Sequence, residues 1–212
     1  MKRNKGMKIL EIIKEHIINN KKEYLLVSLL FIIGIFLGVF FVNHIEEEQK
    51  LEITTYFNSF IEKIRNTEKL DYMVLLKNSM GQNIVLAIVL WFFGTTVIGI
   101  PVVFGLVLYR GFCLGYTIST CITIMGLSKG VLFALILLLL QNIIFIPSVL
   151  ALAVSGFKLY KSIIKDRNKE NVKVEVLRHT IFSFIMLLLL MLSCVVEIFL
   201  STNILKGLIK YF

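Results

Sequence analysis

The chain has 212 residues, of which 57% are hydrophobic and 17% charged, and its mean hydropathy is +0.84. A soluble domain averages about 45–50% apolar and about 25% charged residues, so this composition excludes an ordinary soluble domain and points to one integral membrane domain. The net charge is +9, but seven of the 23 basic residues precede the first apolar run and seven more lie in 158–178. That clustering is a membrane-orientation signal and not a nucleic-acid-binding face.

In chain order, residues 1–23 place Ile9, Ile12, Ile13 and Ile17 at helical spacing among Lys8, Glu11, Lys14 and Glu15. This predicts a cytoplasmic amphipathic helix on the membrane surface, with a frayed basic tail as the alternative. Span one is expected at 24–42, "YLLVSLLFIIGIFLGVFFV". It is long for a signal peptide and lacks a small-residue cleavage site, so it reads as a retained helix. Gly34 and Gly38 within it form a small-xxx-small pair, a weak signal for pairing with a second copy in a homo-oligomer.

Residues 43–80 carry seven acidic and five basic side chains. Ile53, Phe57, Phe60, Ile61 and Ile64 recur at helical spacing, which predicts a structured helical segment outside the bilayer. Phe57, Phe60 and Ile64 are the expected contacts to extracytoplasmic partners. The apolar stretch from about 83 to 125 exceeds the ~20 residues one helix needs to cross. Gly99 and Pro101 are the natural break, giving span two at 82–98 and span three at 101–125. Span four is expected at 131–153, a basic cytoplasmic stretch at 154–179, span five at 180–202 and an outer tail at 203–212. Pro147 is a further expected helix break. The fold class is therefore all-α and polytopic, with five crossings, the N-terminus inside and the C-terminus outside.

Two charges fall inside these spans, Arg110 and Glu197. On insertion scales such a charge costs about 2.5–3.5 kcal/mol, so each should face protein or water and find a partner. Their helix positions differ by about 13 Å in depth at ~1.5 Å per residue, which disfavours a direct bridge. Gln141 and Asn142 lie nearer the level of Arg110, and amide oxygens accept from a guanidinium. The expected intramembrane cluster is thus Arg110, Gln141 and Asn142, with Thr95 or Thr96 nearby. The alternative is that Arg110 reaches interfacial water along its own helix.

No catalytic set is legible. His16, His44 and His179 lie near membrane edges in different segments, and no zinc-protease, serine-hydrolase or phosphate-loop motif is present. The odd cysteine count, Cys113, Cys121 and Cys194 in apolar runs, argues against a disulfide framework or metal site. No cofactor, metal or enzymatic activity is expected.

Four stretches carry a family likeness: "NNKKEYLLVSLLFIIGIFLG" (19–38), the acidic segment leading into "NSMGQNIVLAI" (78–88), "GIPVVFGLVLYRGFCLGY" (99–116) and "LLQNIIFIPSVLALAVSGFKLYKS" (140–162). Together they resemble the stage II sporulation protein M family of bacterial membrane proteins. In that comparison Pro147 matches the second proline of a Pro-His-Gly-x-x-Glu-x-Pro-Ala segment in the wider family, whose histidine and glutamate fall at Gln141 and Phe145. The resemblance implies a cell-membrane protein of the septal or engulfing membrane of a spore former. It implies an anchor for stage II sporulation proteins D and P, which remodel septal peptidoglycan. The competing readings are a transporter or channel subunit, suggested by the intramembrane polar residues, and the membrane partner of an ATP-driven machine docking on 158–178.

Overall fold

The computed structural model describes residues 14–66, 72–165 and 169–198, all in helices or short turns with no strand among them. Helix α1 covers 14–19, and α2 is Lys21–His44, α3 Glu47–Asn66, α4 Tyr72–Gly94, α5 Ile100–Met125, α6 Leu127–Lys165 and α7 Lys169–Val196. Five helices are long and apolar enough to cross a membrane. The protein is an all-α, multi-pass membrane protein. Of the expected N-terminal amphipathic helix, only Lys14 onward falls among the described residues; Ile17 there is exposed.

The chain's punctuation follows local chemistry. Between α4 and α5, Gly99 caps the helix and Pro101 sits in its first turn, where a missing N–H costs nothing. Gly126 separates α5 from α6 at φ +80°, with its N–H donating to the Ile122 carbonyl at 2.9 Å. That backbone angle suits a residue without a Cβ. Glu47 and Glu48 open α3, placing negative charge at the positive end of its dipole.

Three expectations change here. Span two, expected at 82–98, is α4 at Tyr72–Gly94: the helix starts within the stretch expected outside the bilayer, and the chain turns at 95–99. Pro147 is not a break: α6 runs for 39 residues through it. The proline leaves one carbonyl, that of Ile143, without its N–H partner, a loss that membrane helices tolerate. The basic stretch 154–179 is helix over most of its length, because 154–165 continue α6 and 169–179 begin α7.

The main core gathers Val27 and Phe31 of α2, Leu86 and Leu90 of α4, Val103 and Val107 of α5, Val149 and Leu152 of α6, and Met186 and Leu190 of α7. The tightest pair is α2 on α5, which run parallel. Gly34 and Gly38 of α2 meet Gly111 and Gly115 of α5. A Cβ at Gly34 would strike the Leu108 carbonyl oxygen, at Gly38 that of Phe112, at Gly111 that of Phe31 and at Gly115 that of Ile35. The Gly34–Gly38 face is therefore filled within one chain, so it is not free to pair with a second copy. A second, smaller cluster at the opposite end from α1 joins Cys121, Phe133 and Ala134 to Phe57 and Ile61 of α3.

Candidate functional site

Arg110 turns toward α6, and the partner described for it there is an aromatic ring, not Asn142. Its guanidinium carbon lies 5.2 Å from the centroid of the Phe145 ring on α6, a cation–π distance. Asn142 instead donates to the Leu138 carbonyl of its own helix at 2.8 Å and lines an apolar cavity with Leu114 and Ile118. The Gln141 side chain lies outside the described residues. Thr95 and Thr96 cap the end of α4 by donating to the Phe92 and Phe93 carbonyls at 2.6 and 3.1 Å. Asn142 and Phe145 lie nearly one above the other on α6, about 4.5 Å apart along the axis, and that difference in level brings the ring to Arg110.

Arg110 lines a groove of about 720 Å³ between α4 and α5, together with Lys77, Gln82, Val85 and Tyr109. Glu197 is elsewhere, at the far end of α7, where Ser79 Oγ donates to its Oε2 at 2.9 Å. One turn further in, Asn83 Nδ2 donates to Cys194 Sγ at 3.0 Å and reaches the Leu190 carbonyl at 3.4 Å. Ion pairs join Lys50 to Glu47, Lys161 to Glu23 and Arg178 to Glu175. Among the described residues neither intramembrane charge takes part in one.

A cluster that the sequence did not reveal lies at the other end. Ser155 Oγ and His179 Nδ1 are 2.8 Å apart, and His179 Nε2 faces the Trp91 carbonyl oxygen at 3.4 Å. A ring nitrogen facing a carbonyl carries the proton, so Nδ1 accepts from Ser155. Trp91 Nε1 donates to Thr180 Oγ1 at 3.2 Å. The Ser–His spacing is that of a nucleophile and base, but both residues are buried, and a Cβ added at neighbouring Gly94 would already crowd His179 Nε2 at 3.0 Å. The contact ties α4, α6 and α7 together.

His16 of α1 closes this end. It stacks on Phe182 with centroids 4.2 Å apart, and its Nδ1 meets the Tyr24 hydroxyl at 3.1 Å. Burial, then Lys158 and His179, push its pKa down to about 4. A cavity of about 380 Å³ beside it is lined by Glu15, Lys158, Glu175 and Arg178. His16 and His179 were expected in unrelated segments; the fold brings both to one place. The legible signals were Ser155–Gly156 inside the apolar run of α6 and the chain's single tryptophan. Among the described residues, no three His, Cys, Asp or Glu side chains converge as a metal would require.

Phe57 was expected to face partners. It packs edge-on against Phe133 of α6, with centroids 5.8 Å apart, so its ring seats α3 on the bundle. The apolar stripe of a surface helix is drawn to the nearest apolar body, here its own chain. The Phe60 and Ile64 side chains lie outside the described residues.

No curated protein and no solved structure matches the chain. The family model described as stage II sporulation protein M matches residues 27–202. That stretch takes in the glycine seam of α2 on α5, the Arg110 groove and both polar clusters, and the chain belongs to the stage II sporulation protein M family.

Proposed function

We propose that this protein is a membrane anchor that holds peptidoglycan-remodelling enzymes at the outer face of the engulfing membrane during endospore formation. The partners are stage II sporulation proteins D and P, and the wall chemistry is theirs. The observation that carries the reading is the seating of α3. Phe57 and Ile61 pack toward Phe133 and Ile118, which leaves Leu51, Glu52, Thr55 and Tyr56 exposed on the opposite side. A 20-residue helix that touches the bundle through Phe57 and Ile61, with its other face free, suits a docking platform.

The charge distribution supports its orientation. Lys161 pairs with Glu23 at 2.8 Å, and Lys158 lines the cavity beside His16. Lys158, Lys161 and Arg178 thus gather with α1 and the start of α2 at one end of the bundle, and the positive-inside rule favours the cytosol for that end. Helix α3 is at the other end, toward the wall.

The test is recovery of wall hydrolases with the detergent-extracted protein from sporulating cells. Leu51→Ala with Tyr56→Ala should lower recovery several-fold at unchanged membrane abundance. Phe57→Ala should lower it together with protease resistance of α3, because it unseats the helix. Full recovery with the double variant would end the proposal.

A further inference from the structure

Among the described residues Arg110 meets no carboxylate. No Asp or Glu occurs anywhere in 72–165, nor between Tyr24 and His44. Glu197 is taken up with Ser79 at the far end of α7. Among the described residues the guanidinium faces only the Phe145 ring. The groove it lines is open: a Cβ added at Gly81, on the groove's α4 wall, would meet nothing within 4 Å. Lys77 stands at the same groove's outer rim, so both charges in its lining are positive.

Depth selects what belongs there. Gly34 lies against Leu108, and Gly111 against Phe31. Arg110 is therefore level with the middle of the Lys21–His44 span. Phospholipid phosphates lie outside a hydrocarbon core of about 30 Å, roughly ten helical residues away from that level. A carboxylate at mid-bilayer must be carried there by another helix, and buried membrane charges pair with one another. We propose that the α4–α5 groove receives a transmembrane helix of a partner protein bearing one Asp or Glu at mid-bilayer depth, which pairs with Arg110. The proposal rests on the anchor reading above, since an intramembrane dock serves a membrane-anchored partner. Its test uses no wall enzyme, so the two can fail separately.

The full-length protein is reconstituted in phosphatidylcholine vesicles at pH 8 with a donor label. The probe is a synthetic Leu/Ala helix of about 20 residues carrying a central Glu and an acceptor label, with central-Gln and central-Leu helices as comparisons. Energy transfer should show the Glu helix associating about tenfold more tightly than the Leu helix. Arg110→Leu should bring the two within about twofold of each other. Gly81→Leu, which fills the groove without meeting a neighbour, should weaken the Glu helix while leaving thermal stability intact, and it decides the matter if Arg110→Leu fails to insert. Equal association of Glu and Leu helices, or a preference that survives Gly81→Leu, overturns the proposal. Replacing part of the lipid with phosphatidylglycerol should leave the Glu helix bound. Displacement by that lipid would assign Arg110 to a headgroup and overturn the proposal equally.

Discussion

Replacing Gly111 by alanine tests how α2 and α5 are held together. Alanine is the better helix former by about 1 kcal/mol, so on propensity alone the variant should gain stability. The geometry opposes this. The new methyl would fall on the Phe31 carbonyl oxygen and lie 3.2 Å from the Ile35 nitrogen. Both are backbone atoms, so no rotamer change can relieve the clash and the helices must part. Overpacking of this kind costs about 1–3 kcal/mol. Parting also loses dispersion contacts along the seam. The net expectation is a loss of about 1–2 kcal/mol, roughly a tenfold change in the folding equilibrium. Gly105, on the same helix, is the internal control, because a Cβ there meets nothing within 4 Å. Gly105→Ala should be neutral or stabilising. The measurement is reversible unfolding in mixed micelles as the denaturing detergent fraction rises. If Gly111→Ala unfolds at the same fraction as Gly105→Ala, the close-packed seam is not what holds these helices.

Two further outcomes follow from single residues. His16 is held neutral to about pH 4 by burial, Lys158 and His179, whereas a free imidazole takes its proton near 6.5. The unfolded chain then binds the extra proton first, so the His16 contribution to stability falls as pH drops from 6.5 toward 4. His16→Phe, which keeps the stack on Phe182, should flatten that part of a thermal-stability profile against pH; an unchanged slope would assign it to another group. Pro147 is exposed within an unbroken α6, so Pro147→Ala returns an N–H to the Ile143 carbonyl and should raise stability in the same unfolding assay, by about 1–3 kcal/mol. A loss would mean that the bundle depends on the proline.

The helices were legible because lipid imposes them. Long apolar runs, the glycine–proline break at 99–101 and the basic clusters locate the crossings from composition alone. The partners of individual side chains were not, because they depend on rotation about each helix axis and level along it. Arg110 meets Phe145 and not Asn142, three residues away on the same helix, and a depth reckoned from uncertain helix ends does not resolve a level difference of about 4.5 Å. Gly111 and Gly115 passed unnoticed although they repeat the spacing of Gly34 and Gly38, since a small-residue pair acquires meaning only once the opposing pair is known. His16 and His179 are far apart in sequence and have no shared motif; only the packing of α1 against α7 puts them together. Phe57 belongs to an apolar stripe legible from its helical spacing, but what covers that stripe depends on how α3 lies against the bundle.

The distribution of polar groups among the seams has a common cause. Lipid is as apolar as leucine, so burial gives helices in a membrane little reason to associate, and each seam needs backbone proximity or hydrogen bonds. The α2–α5 seam uses four glycines. Helix α4 cannot do the same along its length, because Gly81 faces open space and only Gly94, against Gly156, is in close contact. It is held instead by Ser79, Asn83 and Trp91, each bonded to α7. Between α4 and α5 neither device is present among the described residues, and these helices touch far less than α2 and α5 do. That is the seam where Arg110 sits. Opening it would break no described hydrogen bond, whereas parting α4 from α7 would strand Asn83 and Trp91 in hydrocarbon. Another helix could therefore enter beside Arg110 while both well-held halves of the bundle remain as they are.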